Sequence, residues 1–398
     1  AVSLNTSLAQ DVGGGAGVDT LLGIENVAGS KFDDTLTGSG GDNILYGGEG
    51  NDLINGLSGN DTLNGGAGID TVTYSLATSS ISVDLQKTYA QAIGGNSGTD
   101  LLINIENLSG SAYADKLTGN SASNTLNGAA GADSLTGGDG SDIYYVDNAG
   151  DIVSETNVLT STGGTDLVYS SLSSYTLTAN VENGCIIASG TANLVGNTLD
   201  NVLFAGAGNN ILNGSSGTDT ASYQYATGGI NASLAITTAQ ATSGSGSDTF
   251  ISIENLSGSV YADKLTGNSA SNTLNGADGA DTLIGGVGAD TLTGGNGSDI
   301  FYFNSLADLG IGTTRDVITD FNNTLDKDKI DLSAVDANTA IEGDQAFSLV
   351  TSGFTAAGQI SYSAGIISIN TDTDASAEYE IQLTGVLPTT LTIADLIL

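Results

Sequence analysis

The sequence has no histidine, methionine or tryptophan, one proline, one cysteine and only 7 basic residues among 398. Each absence excludes something. Without histidine there is no Ser-His-Asp or Cys-His nucleophile arrangement, and soft transition metals lack a proper ligand set. The lone Cys185 closes no internal disulfide. In Cys185-Ile186-Ile187 it reads as a small buried apolar residue, with an intermolecular link as the alternative. Seven basic residues against 45 acidic ones leave a formal charge of -38. That balance argues against nucleic acid, where basic side chains supply most of the affinity, and against anionic membranes. No run of about 18 apolar residues exists, so membrane insertion is not expected. The first residues, AVSLNTSLAQ, lack the charged and apolar regions of a signal peptide. Together with the absence of methionine, this leads us to expect a processed product or a fragment.

What is present is glycine, 58 residues of it, with a hydrophobic share of 39% that is too high for a solvating tail. The apolar residues are also periodic. Residues 47–73 read GGEGNDLIN, GLSGNDTLN, GGAGIDTVT: glycine first and fourth, aspartate sixth, an apolar residue eighth. Such nonapeptides fill four blocks, at 29–73, 110–154, 196–222 and 258–302, the third of them degenerate. A longer duplication overlies them. IENLSGSAYADKLTGNSASNTLNG at 105–128 recurs at 253–276 with one substitution, and a diverged copy opens at Ile24. The stretches 70–85 and 219–234 also resemble one another. The segment 74–109 has the length of four nonapeptides and is expected to add two plain turns to the same coil.

This nonapeptide resembles the calcium-binding repeat of the RTX family. The resemblance implies an all-β fold: a right-handed parallel β-roll, a calcium-binding β-solenoid. The chemistry is consistent with it. Glycines allow the positive φ of a tight turn, and the apolar eighth residue sits in a minimal strand with its side chain inward. Two nonapeptides make one turn, so aspartates eighteen residues apart stack at about the 4.8 Å strand spacing. Carboxylates that close repel by roughly 1 kcal/mol even at the dielectric of water. Ca²⁺ takes six to eight oxygens in irregular geometry and suits such an edge better than Mg²⁺, which demands a tight octahedron.

The candidate calcium ligands are the sixth residues. One edge is expected to carry Asp34, Asp52 and Asp70, then Asp115, Asp133 and Asp151, then Asp263, Asp281 and Asp299. The other carries Asn43 and Asp61, Asn124 and Asp142, Asn272 and Asp290, and the third block adds Asp219. Because asparagine opens the second row each time, that row is expected to begin with a weak or empty site. The alternative, that these residues merely cap turns, is outweighed by their recurrence in register.

The nonapeptides stop at Tyr302. From there the chain resembles the C-terminal domain of serralysin-type secreted proteases, through Asp316-Val317-Ile318, Asp320-Phe321 and Asp328-Lys329-Ile330-Asp331-Leu332-Ser333. The resemblance implies that residues 303–398 form a β-rich cap and secretion domain on a roll spanning 1–302. It also implies that the terminal Asp395-Leu396-Ile397-Leu398 addresses the type I secretion machinery. A plain final β-strand is the other reading of that tail. Asp372-Thr373-Asp374 reads equally as an exposed acidic turn or a further calcium loop. The protease's HExxH zinc helix has no histidines to form from, and no separate catalytic cluster stands out, so no enzyme is expected. Two functions remain open for a secreted protein of the extracellular space or cell surface. One is a structural surface component (S-layer, filament or adhesin) that folds on Ca²⁺ and self-assembles. The other is the folding and secretion module of a larger hydrolase or toxin.

Overall fold

The computed structural model of the chain describes every residue except 14–16, 158–162, 352 and 386. It divides into two compact units, Ala1–Cys185 and Ile186–Leu398. Among the described residues there is no α-helix, and most strands are only two to four residues long.

The nonapeptide dictates that brevity. In GGEGNDLIN, Gly48 holds φ +120°, and a Cβ there would run into the carbonyl oxygen of Ser30 one turn below. Only glycine makes this close approach without strain. The turn delivers Leu53–Asn55, a strand whose middle residue, Ile54, is fully buried while its neighbours are not. Successive side chains of a strand point to opposite faces, so one inward residue per strand is what three residues allow. Each such aliphatic side chain contributes roughly 1.5–3 kcal/mol of burial.

In the first unit, Thr35–Thr37, Leu53–Asn55 and Thr71–Thr73 pair in parallel, followed by Asn107–Ser109, Thr125–Asn127, Ile143–Val146 and Leu167–Ser170. Their middle residues form one buried ladder: Leu36, Ile54, Val72, Leu108, Leu126, Tyr144 and Val168. A second set of ladders alternates with it along the chain. Asn26–Ala28, Ile44–Glu49, Thr62–Ala67 and Thr99–Ile103 make one part. Ser82–Asp84, Lys116–Thr118, Ser134–Thr136 and Ile152–Ser154 make the other.

The segment 74–109 does not add two plain turns. Thr71–Thr73 pairs directly with Asn107–Ser109 in a single step. Within that step the chain gives two strands to the second set, Ser82–Asp84 and Thr99–Ile103, joined through the antiparallel pairing of Gln91–Ala92 with Thr99–Ile103. The hairpin is held by a side chain mimicking a strand partner. Buried Gln91 accepts from the Asp84 N–H and donates to its carbonyl, both at 2.9 Å. Gln10 does the same to Ser3, and Gln240 to Ser233. The module is thus present three times.

The second unit repeats this logic. Val202–Phe204, Thr220–Ser222, Asn255–Ser257, Lys264–Thr266 and their successors run in parallel ladders through Thr291–Thr293 and Ile300–Tyr302. Past Tyr302 the parallel register continues: Asp316–Ile318 pairs with Thr291–Thr293 and Lys329–Asp331 with Ile300–Tyr302. An antiparallel meander, Gln359–Ser363, Ile366–Asn370 and Tyr379–Leu383, then returns to Asp316–Ile318. The closing strand Leu396–Ile397 lies on Lys329–Asp331. Cys185 is buried, and burial pushes its thiol up to about 12.

Candidate calcium-binding edges

Where the sixth residue is an aspartate stacked on an earlier sixth residue, its two oxygens do two jobs. One, Oδ1, accepts the backbone N–H of the sixth residue a turn earlier. Asp34 N donates to Asp52 and Asp52 N to Asp70, both at 2.8 Å and eighteen residues apart. The same bond joins Asn43 to Asp61, Asp115 to Asp133, Asp133 to Asp151, Asn124 to Asp142, Asn201 to Asp219, Asp263 to Asp281, Asp281 to Asp299 and Asn272 to Asp290. This ladder locks the carboxylates in register along the coil.

The other oxygen divides the residues into two classes. In the turns that open a block, the second residue turns its N–H inward. Ser30 donates to Asp34 at 2.6 Å, and Ser111 and Ser259 donate likewise to Asp115 and Asp263. Ser39, Asn120, Asn197 and Asn268 donate to Oδ1 of Asn43, Asn124, Asn201 and Asn272. Asparagine suits this place because its Nδ2 also donates, from Asn43 to Glu25 O, Asn124 to Glu106 O and Asn272 to Glu254 O. Asp151 joins this capped class, accepting from Asp147 and Asn148.

In the turns that follow, the second residue has positive φ: Gly48, Leu57, Gly66, Ala129, Gly138, Ser215, Ala277, Gly286 and Gly295. Four residues on, Oδ2 of Asp52, Asp61, Asp70, Asp133, Asp142, Asp219, Asp281, Asp290 and Asp299 is buried and accepts no hydrogen bond. The peptide is planar with N–H and C=O opposed. Turning it over withdraws the donor and brings a carbonyl round. Oxygens line the resulting space: a Cβ on Gly47 would meet both Asp52 Oδ2 and the carbonyl of Gly65. A buried carboxylate oxygen without a partner is costly, and a hard, oxygen-seeking cation is the partner that fits it.

Burial, set against the backbone hydrogen bond and sharpened by neighbouring carboxylates, raises these acids. Asp61, Asp133, Asp219 and Asp290 rise to about 6, and Asp142 and Asp281 to about 7. Among the described residues the ion pairs are Lys87–Asp84 and Arg315–Glu380, neither of which touches these carboxylates.

The rows are not grouped as the likeness of their residues suggests. Asp70 is followed on its edge by Glu106, which accepts its N–H at 2.9 Å, and then by Asn124, Asp142 and Asp166. Asp115, Asp133 and Asp151 precede the strands of the other set. Thr71–Thr73 lies on Asn107–Ser109, so the residue stacked on Asp70 is 106, two eighteens further on, and not 115. In the second unit Asp219 is likewise followed by Glu254, Asn272, Asp290 and Asp316. Asp263, Asp281, Asp299 and Asp328 form the other row.

Glu106, Glu254, Asp316 and Asp328 were not among the expected ligands. The recurring Ile-Glu-Asn at 105–107 and 253–255 was the available signal for the first two. Asp316 extends the pattern past the last nonapeptide: Gly312, four residues before it, has φ +62°, and its own Oδ2 is buried without a partner. Asp320 instead accepts the N–H groups of Gly294 and Gly295, and Arg315 clamps Glu380 and Gln382. Asp372, Asp374 and Glu378 come together, yet Asp372 and Asp374 are exposed and cap neighbouring N–H groups as an acidic turn does. Asp395 accepts from Thr392 and precedes the final strand.

Parallel ladders edged with stacked carboxylates define a calcium-binding β-roll. Residues 22–54 and 37–72 match the RTX calcium-binding nonapeptide repeat, and residues 76–398 match the family described as Peptidase M10 serralysin C terminal. The chain belongs to that family; it is a secreted protein with Ca²⁺ as its cofactor, and the matched domain is the non-catalytic part of serralysin-like proteins. Among solved structures it is similar to the AlgE6R3 subunit of the Azotobacter vinelandii mannuronan C5-epimerase. Identity is 28% over 36% of this chain and 76% of that one, with a TM-score of 0.27. No curated protein matches the chain.

Proposed function

We propose that this chain is an extracellular structural protein of the cell surface, a component of an S-layer, filament or adhesin, that folds on Ca²⁺ after export. In this reading residues 1–302 form the roll and 303–398 the cap, which addresses the type I secretion machinery through its C-terminus. The nine aspartates with a free Oδ2 hold the calcium, while Asp34, Asp115, Asp151 and Asp263 cap the turns at the ends of the rows. Bound Ca²⁺ supplies the positive charge that neighbouring carboxylates require. Extracellular sites work at about 10⁻⁴–10⁻³ M, so cytoplasmic calcium leaves the chain unfolded and fit to thread a channel.

The observation that carries the structural reading is the triplicated module, with Gln10, Gln91 and Gln240 making the same clamp. Repetition of one unit builds extent and regular surface rather than a unique site. The second reading, a folding and secretion module of a larger hydrolase or toxin, is favoured by the serralysin-type match over 76–398. Measuring the mass of the secreted polypeptide, and its sedimentation in millimolar Ca²⁺ and in EDTA, tests the choice. A species near 39.5 kDa that assembles with calcium is expected. A much larger polypeptide that stays monomeric favours the module.

A further inference from the structure

Resting on the calcium reading above, we propose that the repeat aspartate Asp142 shares a calcium ion with Glu155 and Asp166, two carboxylates outside the repeat pattern, where the second nonapeptide block ends. Their carboxylate oxygens lie within 4.8 Å of one another, and all three side chains are buried. Only Asp142 belongs to a GGxGxD turn. Asp142 has no exposed surface, its Oδ1 accepts from Asn124, and its Oδ2 accepts nothing.

Glu155 explains why this turn differs. It stands eighteen residues after Gly137, at the place where the other turns carry a first-position glycine. Above Gly29, Gly38, Gly47 and Gly119 the space is occupied by the carbonyl oxygen of the next first-position glycine. Above Gly137 it is occupied by Oε1 of Glu155, beside Asp142 Oδ2 and the Tyr144 hydroxyl. A carboxyl oxygen thus takes the place of a backbone carbonyl oxygen. The Glu155 backbone carbonyl is instead held by Asn180 Nδ2 at 3.0 Å.

Asp166 completes the group from the following turn. It accepts the Asp142 N–H at 2.7 Å over 24 residues rather than eighteen, so the chain between them is longer by six residues than a regular coil needs. Tyr144 donates to Glu155, and among the described residues no lysine or arginine pairs with any of the three. Three carboxylates in so small a buried space repel strongly. The set is all oxygen, and the cation class it selects is a hard divalent ion of calcium's size. A bound ion ties Ile143–Val146 to Leu167–Ser170 across the longer connection.

The test counts calcium in the full chain. Wild type, Glu155→Gln and Asp166→Asn are dialysed to equilibrium in millimolar Ca²⁺, and bound metal per chain is measured by mass spectrometry while circular dichroism follows the β-structure. The expected result is one Ca²⁺ fewer in each variant, with the remaining calcium and the spectrum kept. An unchanged count overturns the proposal. So does loss of most of the calcium, which would make these residues part of one cooperative array instead of ligands to a single ion. Should either variant fail to fold, Tyr144→Phe keeps every carboxylate and is read by terbium luminescence. Tyrosine-excited Tb³⁺ emission should fall in Y144F while directly excited emission holds. Equal tyrosine-excited emission in Y144F and wild type also overturns it.

Discussion

Tyr74 donates its hydroxyl to Oδ2 of Asp100 at 3.0 Å, with both side chains buried. Asn96, four residues before Asp100, has φ +67°, the conformation that elsewhere leaves this oxygen without a donor. Here a phenol stands in for the cation. Tyr223 makes the same bond to Asp248 at 2.9 Å in the second unit.

Removing the Tyr74 hydroxyl leaves a buried carboxylate oxygen unsatisfied, which costs about 1–3 kcal/mol, whereas Asp248 Oδ2 keeps the Thr242 hydroxyl at 2.8 Å, so the loss of Tyr223 costs less. Tyr74→Phe and Tyr223→Phe should each lower the Tm of the calcium-loaded chain. The two sites share no partner, so the double variant should lose about the sum. A Tm unchanged in both single variants would show that the bonds carry no stability.

The two classes of sixth residue should respond differently to amide substitution. Asp34 accepts the Ser30 N–H as Asn43 accepts that of Ser39, so Asp34→Asn should leave the calcium midpoint of folding nearly unmoved. Asp52→Asn aims an amide donor into the space beside Gly65 O. We expect that midpoint to rise on the order of tenfold, about 1.4 kcal/mol. Calcium titration followed by circular dichroism reads both, and equal shifts in the two variants would refute the distinction.

Positive φ at the second position is strained for any residue with a Cβ, by roughly 1–2 kcal/mol. Ala277 holds φ +75°, so Ala277→Gly should stabilise the loaded roll, offset in part by glycine's greater freedom when unfolded. Gly286 holds φ +92°, and a Cβ there would lie 2.5 Å from Asn268 O. Gly286→Ala should therefore destabilise by more than about 1 kcal/mol. Thermal melts in millimolar Ca²⁺ compare them; opposite signs are the expected outcome.

Calcium and protons should substitute for one another. Burial raises Asp133 and Asp290 to about 6 and Asp142 and Asp281 to about 7, from an ordinary 3.8. A carboxyl raised in the folded state favours folding while protonated. Its contribution is whole below about 3.8 and lost as pH climbs through about 6–7. In EDTA the chain should therefore lose β-structure between pH 4 and pH 7.5, and millimolar Ca²⁺ should restore it at pH 7.5. Far-UV circular dichroism measures this. An EDTA spectrum equally β-rich at both pH values would exclude coupled folding.

The fold was legible because its period is covalent. Leu36, Ile54 and Val72 recur every eighteen residues, and a strand of three residues has one way to bury one of them. The sixth-position aspartates were legible for the same reason. The edge to which Asp115 belongs was also written in the count of residues, though the likeness of Asp115 to Asp34 pointed the other way.

What only the tertiary structure decided is which oxygens are free. The class of each aspartate turns on one peptide orientation, and residue type signals it imperfectly. Ser30 and Ser39 point their N–H inward, yet Ser215 holds φ +76° and leaves Asp219 Oδ2 without a partner. Tyr74 meets Asp100 across 26 residues, and Glu155 reaches Asp142 from a position where every pattern expects glycine. Local sequence sets a residue's place in the coil. The contacts its side chain makes depend on the turn stacked above it, whose length and backbone conformation lie elsewhere in the chain.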